Sequence, residues 1–311
     1  MTTLYAGATR LILDTGNEIE AFVRIKAGGT TRPKCLLLHG NPGCLLDWER
    51  FVPRLSEVAD IAAIDMPGFG KSRRASATPE SSSLERLAEQ VVAVLDVLGW
   101  REPVFLFGHS HGGGVAQTVA ARYPGRVAGL VLIATLGAPA HGGYRFLSLP
   151  GAAVVARAIG WMFRSKLLRP LGRAILRRVM VDVFSPEPVP SARFDHELAT
   201  FTSRPEILLS MVHVTLGRPC AQLFGSAPAI RCPTLFVHGR EDAIVPAKYA
   251  RCIHDRIVTA GGSSQFHLVP GAGHMLIDYQ AADLAHTIHP WLVTRGGGAR
   301  PLARAVATRS A

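Results

Sequence analysis

The sequence predicts an α/β protein whose mostly parallel sheet is covered by helices on both faces. Short apolar segments alternate with segments of helical period along most of the chain, and such alternation is typical of parallel strands joined by helical crossovers. Val127–Ala134 is an uninterrupted apolar run, as expected for a strand buried on both faces, whereas Leu84–Leu98 carries apolar residues at helical spacing. These two kinds of segment define the fold class.

The first two strands are predicted to form a hairpin around residues 14–17, and helices separate most of the later ones. The predicted strands are Arg10–Leu13, Ile19–Ile25, Cys35–Leu38, Ile61–Ile64, 103–108, Val127–Ala134, Thr234–Val237 and Gln265–Val269. The predicted helices of the alternating part are Asp47–Glu57, Leu84–Leu98, 113–123, Ala247–Arg256 and Ala281–Val293.

The alternation stops between about Leu136 and Pro219, where a helical insertion over the sheet is expected. Three segments of helical period lie there, together with the proline-rich stretch 186–190; they are Ala153–Met162, Lys166–Val183 and Arg204–Leu216. The predicted organisation is a core of residues 1–136 and 220–295, a helical cap over 137–219, and a flexible basic tail over 296–311.

The composition favours a folded protein with a large buried core. Of the 311 residues, 48% are hydrophobic and 18% are charged, which argues against overall disorder. The five cysteines are scattered and show no metal-binding spacing, so no metal site is predicted. Neither a signal peptide nor a run of about 18 apolar residues is visible, and a reducing cytoplasm is the expected compartment.

The net charge of +11 is concentrated in the predicted cap, where eleven Arg or Lys stand against five Asp or Glu between His141 and Pro219. No nucleic-acid recognition module accompanies it, so a solvated basic face is the favoured interpretation and no nucleic-acid partner is expected. In Lys166–Val183 the cations and the apolar residues fall on opposite helical faces. The favoured interpretation is that the apolar face covers the active site. The less favoured hypothesis is that this helix contacts an anionic membrane surface.

The most informative motif is Gly108-His109-Ser110-His111-Gly112, which follows an apolar strand and precedes a helix rich in small residues. Glycines two positions either side of a serine allow the sharp strand-to-helix turn that exposes a nucleophile above a helix N-terminus. Ser110 is therefore predicted to be a catalytic nucleophile.

A serine hydroxyl needs a base within hydrogen-bond reach and a third group that orients that base. His274 follows the last predicted strand in a Gly-rich turn, which presents it at the same sheet edge as Ser110. Asp242 lies in the turn after Thr234–Val237 and is the preferred orienting acid, with its neighbour Glu241 as a rival.

The oxyanion of a tetrahedral intermediate needs donors that are already in place. The backbone N–H groups of His111, directly after the nucleophile, and of Asn41, in the loop after Cys35–Leu38, are the predicted donors. Pro42 has no N–H to contribute, and His39 is expected to hold the loop by structural hydrogen bonds.

Five stretches in this order resemble the α/β-hydrolase superfamily: 39–43, 65–72, the Ser110 turn, the Asp242 turn and the His274 turn. The resemblance implies an α/β-hydrolase fold with a helical cap, and a Ser110–His274–Asp242 triad that needs no cofactor. The 39–42 loop looks like that of haloalkane dehalogenases. However, those enzymes and epoxide hydrolases use aspartate at the position of Ser110, so their chemistry is disfavoured here.

The resulting hypothesis is a serine hydrolase that cleaves an ester, thioester or lactone of a mainly apolar small molecule through an acyl-enzyme. Five cap residues are expected to shape the acyl pocket: Trp161, Met162, Phe163, Leu167 and Leu168. Hydrolysis of a carbon–carbon bond in a vinylogous diketone, cofactor-free perhydrolysis, and a non-enzymatic small-molecule receptor remain as alternatives.

Overall fold

The computed structural model describes residues 4–26, 32–75, 78–136, 147, 149, 151–216 and 219–296. The predicted tail from 297 onward and the first ten residues of the predicted cap, 137–146, lie outside these described residues.

An eight-stranded sheet forms the centre of the molecule, in the order β1-β2-β4-β3-β5-β6-β7-β8. β2 pairs antiparallel with β1 and β4, and all other neighbours are parallel. This confirms the predicted fold class. The strands are β1 Ala8–Ile12, β2 Glu18–Arg24, β3 Lys34–Leu38, β4 Asp60–Ile64, β5 Val104–His109, β6 Val127–Ile133, β7 Thr234–Gly239 and β8 Ser264–Val269.

Helices cover both faces of the sheet and also fill the interval between β6 and β7. The helices are α1 Val52–Leu55, α2 Leu84–Val97, α3 His111–Arg122, α4 Ala152–Arg164, α5 Arg169–Phe184, α6 Ser191–Ser203, α7 Glu206–Leu216, α8 Pro219–Ser226, α9 Ala247–Thr259, α10 Leu276–Tyr279 and α11 Ala281–Gly296. Strands β3 to β7 are almost entirely buried, as their continuous apolar runs require.

One helix prediction was wrong. The helix expected over Asp47–Glu57 is reduced to a 3-10 turn at Leu45–Trp48 and the single-turn α1, which begins directly before Pro53. Helices α6, α8 and α10 were not predicted.

The topology brings three strand ends to one place. β5, β7 and β8 are parallel, so their carboxyl ends meet at the same edge of the sheet, where ligands of open α/β sheets bind. We refer to α4 through α7 as the helical insertion. It packs over this edge, since Gly273 directly after β8 approaches the backbone of Ser185 so closely that a Cβ would lie 1.8 Å from its oxygen.

Candidate active site

Ser110 occupies a strained turn between β5 and α3. Its φ of 49° lies in the left-handed region, and its N–H donates to the Ile133 carbonyl at 3.0 Å while its own carbonyl accepts from the Leu136 N–H at 2.8 Å. The flanking glycines make the turn sterically feasible: a Cβ at Gly112 would lie 2.2 Å from the Leu38 oxygen, and one at Gly108 would lie 2.4 Å from the Gly113 Cα.

Asp242 and His274 are hydrogen-bonded to each other at the same sheet edge. The His274 Nδ1 lies 2.8 Å from the Asp242 Oδ2, and both side chains are buried. The other carboxylate oxygen, Oδ1, accepts the backbone N–H groups of Ile244 at 2.9 Å and Val245 at 2.8 Å. The side chain of the rival acid, Glu241, is exposed instead. The Asp242 carboxylate is thus fixed from both sides and orients the imidazole.

A second histidine, His238, also contacts the carboxylate. Its Nε2 lies 3.2 Å from the Asp242 Oδ2 and 2.8 Å from the Val245 carbonyl. Burial by itself raises the pKa of Asp242, but the charge of His274 and the hydrogen bonds from His238 and His274 outweigh it and hold that pKa well below its usual range. Asp242 is therefore ionised wherever the protein is folded near neutral pH.

His109 supports the turn that carries His274. Its Nε2 donates to the His274 carbonyl at 3.0 Å, and the two ring centroids are 5.0 Å apart. The Ser110 hydroxyl has no hydrogen-bond partner among the described residues. Its hydrogen bond to the His274 imidazole is therefore not formed in this conformation. Catalytic hydrogen bonds are often long in unliganded enzymes and tighten when substrate binds.

The loop after β3 lies against Ser110. A Cβ on Gly40 would stand 3.3 Å from the Ser110 Cβ, so the backbone leading into Asn41 passes directly beside the serine. His39 fixes this loop: its Nδ1 donates to the Gly40 carbonyl at 2.8 Å and its Nε2 accepts the Met66 N–H at 2.8 Å. The role expected for His39 agrees with these bonds. The Asn41 side chain reaches the Met211 carbonyl at 3.4 Å.

An apolar cavity of about 310 Å³ lies between the helical insertion and the sheet edge. It reaches the site, because Pro42 follows Asn41 and Met275 follows His274 in the chain, and both line it. Its walls are largely aromatic, aliphatic and methionine side chains of the insertion, among them Phe163, Leu176, Met180, Phe184, Phe201 and Met211. A volume of this size accommodates a small apolar ligand.

The cavity wall also contains one buried charged cluster. Arg193 of α6 pairs with Asp47 of the core and, at 3.3 Å, with Glu197 one turn further along α6. The side chains of Arg193 and Asp47 are only 9% and 2% exposed. Burial raises the pKa of Glu197, although Arg193 lowers it in part. The Arg193 guanidinium is thus already paired with two carboxyl groups and is not available as a free cation.

Only one of the five predicted pocket residues lines the cavity, namely Phe163. Trp161 and Leu167 were wrong as pocket residues, since their side chains are 65% and 86% exposed. Met162 and Leu168 do not line this cavity either. The physical reason is helical phase: α4 buries Ala152, Ala156, Gly160 and Phe163 on one stripe, and Trp161 falls on the opposite side.

Within the described ranges no group of three His, Cys, Asp or Glu is arranged to hold a metal ion. No single described helix has the length and hydropathy to cross a bilayer; one bent pair, Glu206–Leu216 with Cys220–Ala229, meets the criteria of length and composition together.

The mostly parallel sheet thus carries the Ser110 turn and the Asp242–His274 pair at one edge. Residues 36–281 match the family model of the alpha/beta hydrolase fold, and the chain belongs to that family.

The chain is also similar to individual proteins. The chain is 28% identical over 264 residues to the dihydrolipoyllysine-residue acetyltransferase component of the acetoin cleaving system of Pseudomonas putida, an alignment covering 82% of this chain and 62% of that protein's length. It is 29% identical over 277 residues to 2-hydroxymuconate semialdehyde hydrolase of Pseudomonas sp. (strain CF600), covering 83% and 86%. Its structure resembles the enol-lactonase from Burkholderia xenovorans LB400 with a TM-score of 0.68 and 20% identity, over 92% of this chain and all of that one.

The contacts of four residues in this region were not predicted from the sequence; His109 was expected only to be a packing or mouth residue. His109 and His238 each precede a strand-end turn, but nothing in their spacing shows that they bond to His274 and Asp242. Arg193 and Glu197 lie on the unpredicted helix α6. Their i, i+4 spacing of opposite charges was the one available signal, and on most helices it marks a solvent-exposed pair.

Proposed function

We propose that the protein is a serine hydrolase that cleaves an ester, thioester or lactone of a mainly apolar, uncharged small molecule. The observation that carries the proposal is the buried 2.8 Å hydrogen bond between Asp242 and His274, at the sheet edge where the Ser110 turn ends. A carboxylate held by two backbone N–H groups and paired to an imidazole is the arrangement that activates a neighbouring hydroxyl.

In the proposed reaction the Ser110 Oγ attacks the substrate carbonyl carbon while its proton passes to the His274 Nε2. Asp242 stabilises the imidazolium through Nδ1, and the N–H groups of Asn41 and His111 bind the oxyanion. Collapse of the intermediate expels the alcohol or thiol, which takes the proton from His274, and leaves an acyl group on Ser110. Water, deprotonated by His274, then releases the acid and restores the serine.

The charge of the cavity favours a neutral substrate. Apart from Arg193 and Glu197, the lining residues are apolar, and Arg193 is paired with two carboxyl groups. An anionic substrate would lose its hydration without gaining an unpaired cation from the described lining residues, and burying such a charge is costly. An acyl group of low polarity fits the cavity without this cost.

A carbon–carbon bond hydrolase is the second candidate, because 2-hydroxymuconate semialdehyde hydrolase aligns over most of this chain. The same triad could serve it. That relative's named substrate is an acid, however, and the paired Arg193 makes this cavity a poor site for a carboxylate. The ester reading is therefore preferred.

A fluorophosphonate probe tests the nucleophile directly. We expect the wild-type chain to be labelled and Ser110→Ala to remain unlabelled, with ester hydrolysis falling by at least about a thousandfold. Ser81→Ala changes a half-buried serine of the 3-10 turn Glu80–Ser82; it is the matched control and should be labelled like the wild type.

A panel of neutral aryl esters measured beside an anionic ring-cleavage product separates the two enzymatic candidates. Turnover of the esters alone supports the proposal. Preferential turnover of the ring-cleavage product would instead support carbon–carbon bond hydrolysis. Failure of folded wild-type protein to react with the probe would instead favour a small-molecule receptor on the same fold.

A further inference from the structure

The connection between α4 and α5 is a strongly basic, apolar protrusion. We call residues 161–173 the cap tip; they include the last turn of α4, a four-residue turn and the first turn of α5. The two helix ends are packed together, since a Cβ on Gly172 would lie 3.1 Å from the Phe163 ring. The side chains of the cap tip are therefore displayed from one compact end of a helical hairpin.

Three large apolar side chains of the cap tip face solvent: Trp161 is 65% exposed, Leu167 86% and Leu171 56%. Exposed apolar residues are common singly, but three within eleven positions, across two helix ends and the turn between them, are a local concentration. The indole matters most, because tryptophan is enriched where one end of a side chain is apolar and the other is hydrated, as at a membrane surface.

The charge of this region has one sign. No Asp or Glu occurs between Glu102 and Asp182 in the sequence. Within the cap tip stand four exposed cations, and none of them has a carboxylate partner among the described residues; they are Arg164, Lys166, Arg169 and Arg173. Such a surface complements a strongly anionic partner and repels a second copy of itself.

The apolar side chains continue along α5 to the cavity. Leu171, Ile175, Val179 and Val183 recur every four residues and form one stripe of α5. The last three line the cavity, and Ile175 is 42% exposed at its mouth. The apolar stripe of α5 thus runs from the cap tip to the cavity wall.

From these features we infer that the cap tip docks on an anionic lipid bilayer, with Trp161, Leu167 and Leu171 inserted at the headgroup boundary and the four cations bound to the anionic headgroups. Basic amphipathic segments with aromatic and aliphatic anchors bind membrane interfaces in this way, with each basic residue adding to the attraction. The inference concerns binding and does not depend on the proposed hydrolase activity.

Flotation of the full chain with lipid vesicles tests the docking. At low salt we expect co-flotation with vesicles of phosphatidylcholine mixed with phosphatidylglycerol, weak binding to phosphatidylcholine alone, and loss of binding as salt is raised. The double variants Trp161→Ser/Leu167→Ser and Lys166→Glu/Arg169→Glu should each bind at least about tenfold more weakly. Unchanged thermal unfolding midpoints would show that both variants remain folded.

Matched controls exist elsewhere on the surface. Ile12→Ser removes an equally exposed apolar side chain, and Arg122→Glu/Lys248→Glu reverses two exposed cations outside the insertion. Both should bind vesicles like the wild type. Equal loss in the controls, or binding that survives the cap tip variants, would overturn the inference, because general charge or another segment would then be responsible.

Tryptophan fluorescence locates the contact. Of the four tryptophans, Trp48, Trp100 and Trp291 are buried, so quenching by brominated lipid reports on Trp161. We expect anionic vesicles containing brominated lipid to quench the wild type and not Trp161→Ser. Absence of quenching, displacement of the vesicles by a short DNA duplex, or a dimer that the Trp161→Ser/Leu167→Ser variant dissociates would each overturn the lipid assignment.

Discussion

At the scale of single residues, the two histidines that flank Ser110 are held uncharged. Burial, together with the neighbouring His274, lowers the pKa of His109 to about 4. Burial, then His39 and Arg74, lowers the pKa of His111 to about 3, and neither ring nitrogen of His111 has a hydrogen-bond partner within the described residues.

This neutrality predicts a pH dependence of stability. In the unfolded state the two histidines titrate near pH 6.5. Below that pH they bind protons in the unfolded state but remain uncharged in the folded state, so the unfolded state is favoured. The stabilisation is fully present above about pH 6.5 and is lost as pH falls toward the folded pKa values of about 4 and about 3. We expect urea-induced unfolding to show a fall on the order of 1 kcal/mol per pH unit for each histidine.

His111→Leu provides the matched test of this mechanism. It removes two unpartnered buried nitrogens, so we expect no loss of stability at pH 7 and a shallower decline between pH 6.5 and 4. An unfolding free energy whose pH slope is identical in the variant and the wild type would contradict the mechanism.

At the scale of elements, the contact between α3 and the sheet depends on glycine. Gly112 begins the first turn of α3 so close to β3 that a Cβ would lie 2.2 Å from the Leu38 carbonyl oxygen and 2.5 Å from that of His39. Both opposing atoms belong to the backbone, so the strand itself would have to move. The same approach positions the His111 N–H beside Ser110.

Gly112→Ala is therefore expected to destabilise the protein by about 3 kcal/mol or more and to abolish probe labelling of Ser110. Gly225→Ala is the control, because it lies in helix α8 with nothing within 4 Å of its Cβ position. That substitution should leave labelling intact and stabilise the helix by up to about 1 kcal/mol. Urea unfolding with parallel labelling measures both effects.

Elements with a simple polarity pattern were predictable from the sequence. The helical spacing of apolar residues in α2 reflects one buried face, and the continuous apolar run of β6 reflects burial on both faces. The ends of both elements were predicted to within a residue or two. Helix α6 shows why other elements could not be predicted from the sequence. It buries Glu197 and the Arg193 side chain by pairing them, which inverts the usual relation between charge and exposure.

At the scale of the whole molecule, that buried ion pair joins the helical insertion to the core. Arg193 belongs to the insertion, whereas Asp47 lies in the segment after β3, and their side chains are almost fully buried. Arg204 adds hydrogen bonds from the insertion to the carbonyls of Gly70 and Ser72. The position of the cavity roof thus depends on polar contacts as well as on apolar packing.

Arg193→Leu leaves two buried carboxyl groups without their counter-charge, and we expect it to lower the free energy of unfolding by about 3–5 kcal/mol. Arg178→Leu is the comparison: Arg178 pairs with Asp182 at the exposed surface of α5, and its loss should cost no more than about 1 kcal/mol. The two variants can be compared by urea unfolding at matched pH. Equal losses in the free energy of unfolding would show that the buried ion pair stabilises the fold no more than the exposed one does.

The strand-end positions of Ser110, Asp242 and His274 could be read from the sequence because chain order and turn chemistry determine them locally. The cavity could not be read in this way. Its walls combine α4, α5, α6 and α7 with two core loops, and which side of each helix faces inward depends on how these helices pack on one another. Trp161 illustrates the difference, since an apolar residue in a cap helix proved to face outward.

The left-handed backbone at residue 110 has an evolutionary consequence. The turn is imposed by Gly108, Gly112 and the carbonyls that surround them, and the serine side chain makes no hydrogen bond to the described residues. The side chain at this position is therefore not needed to hold the turn. A single codon change can place a different functional group at the same sheet edge, with the sheet and its supporting glycines inherited unchanged.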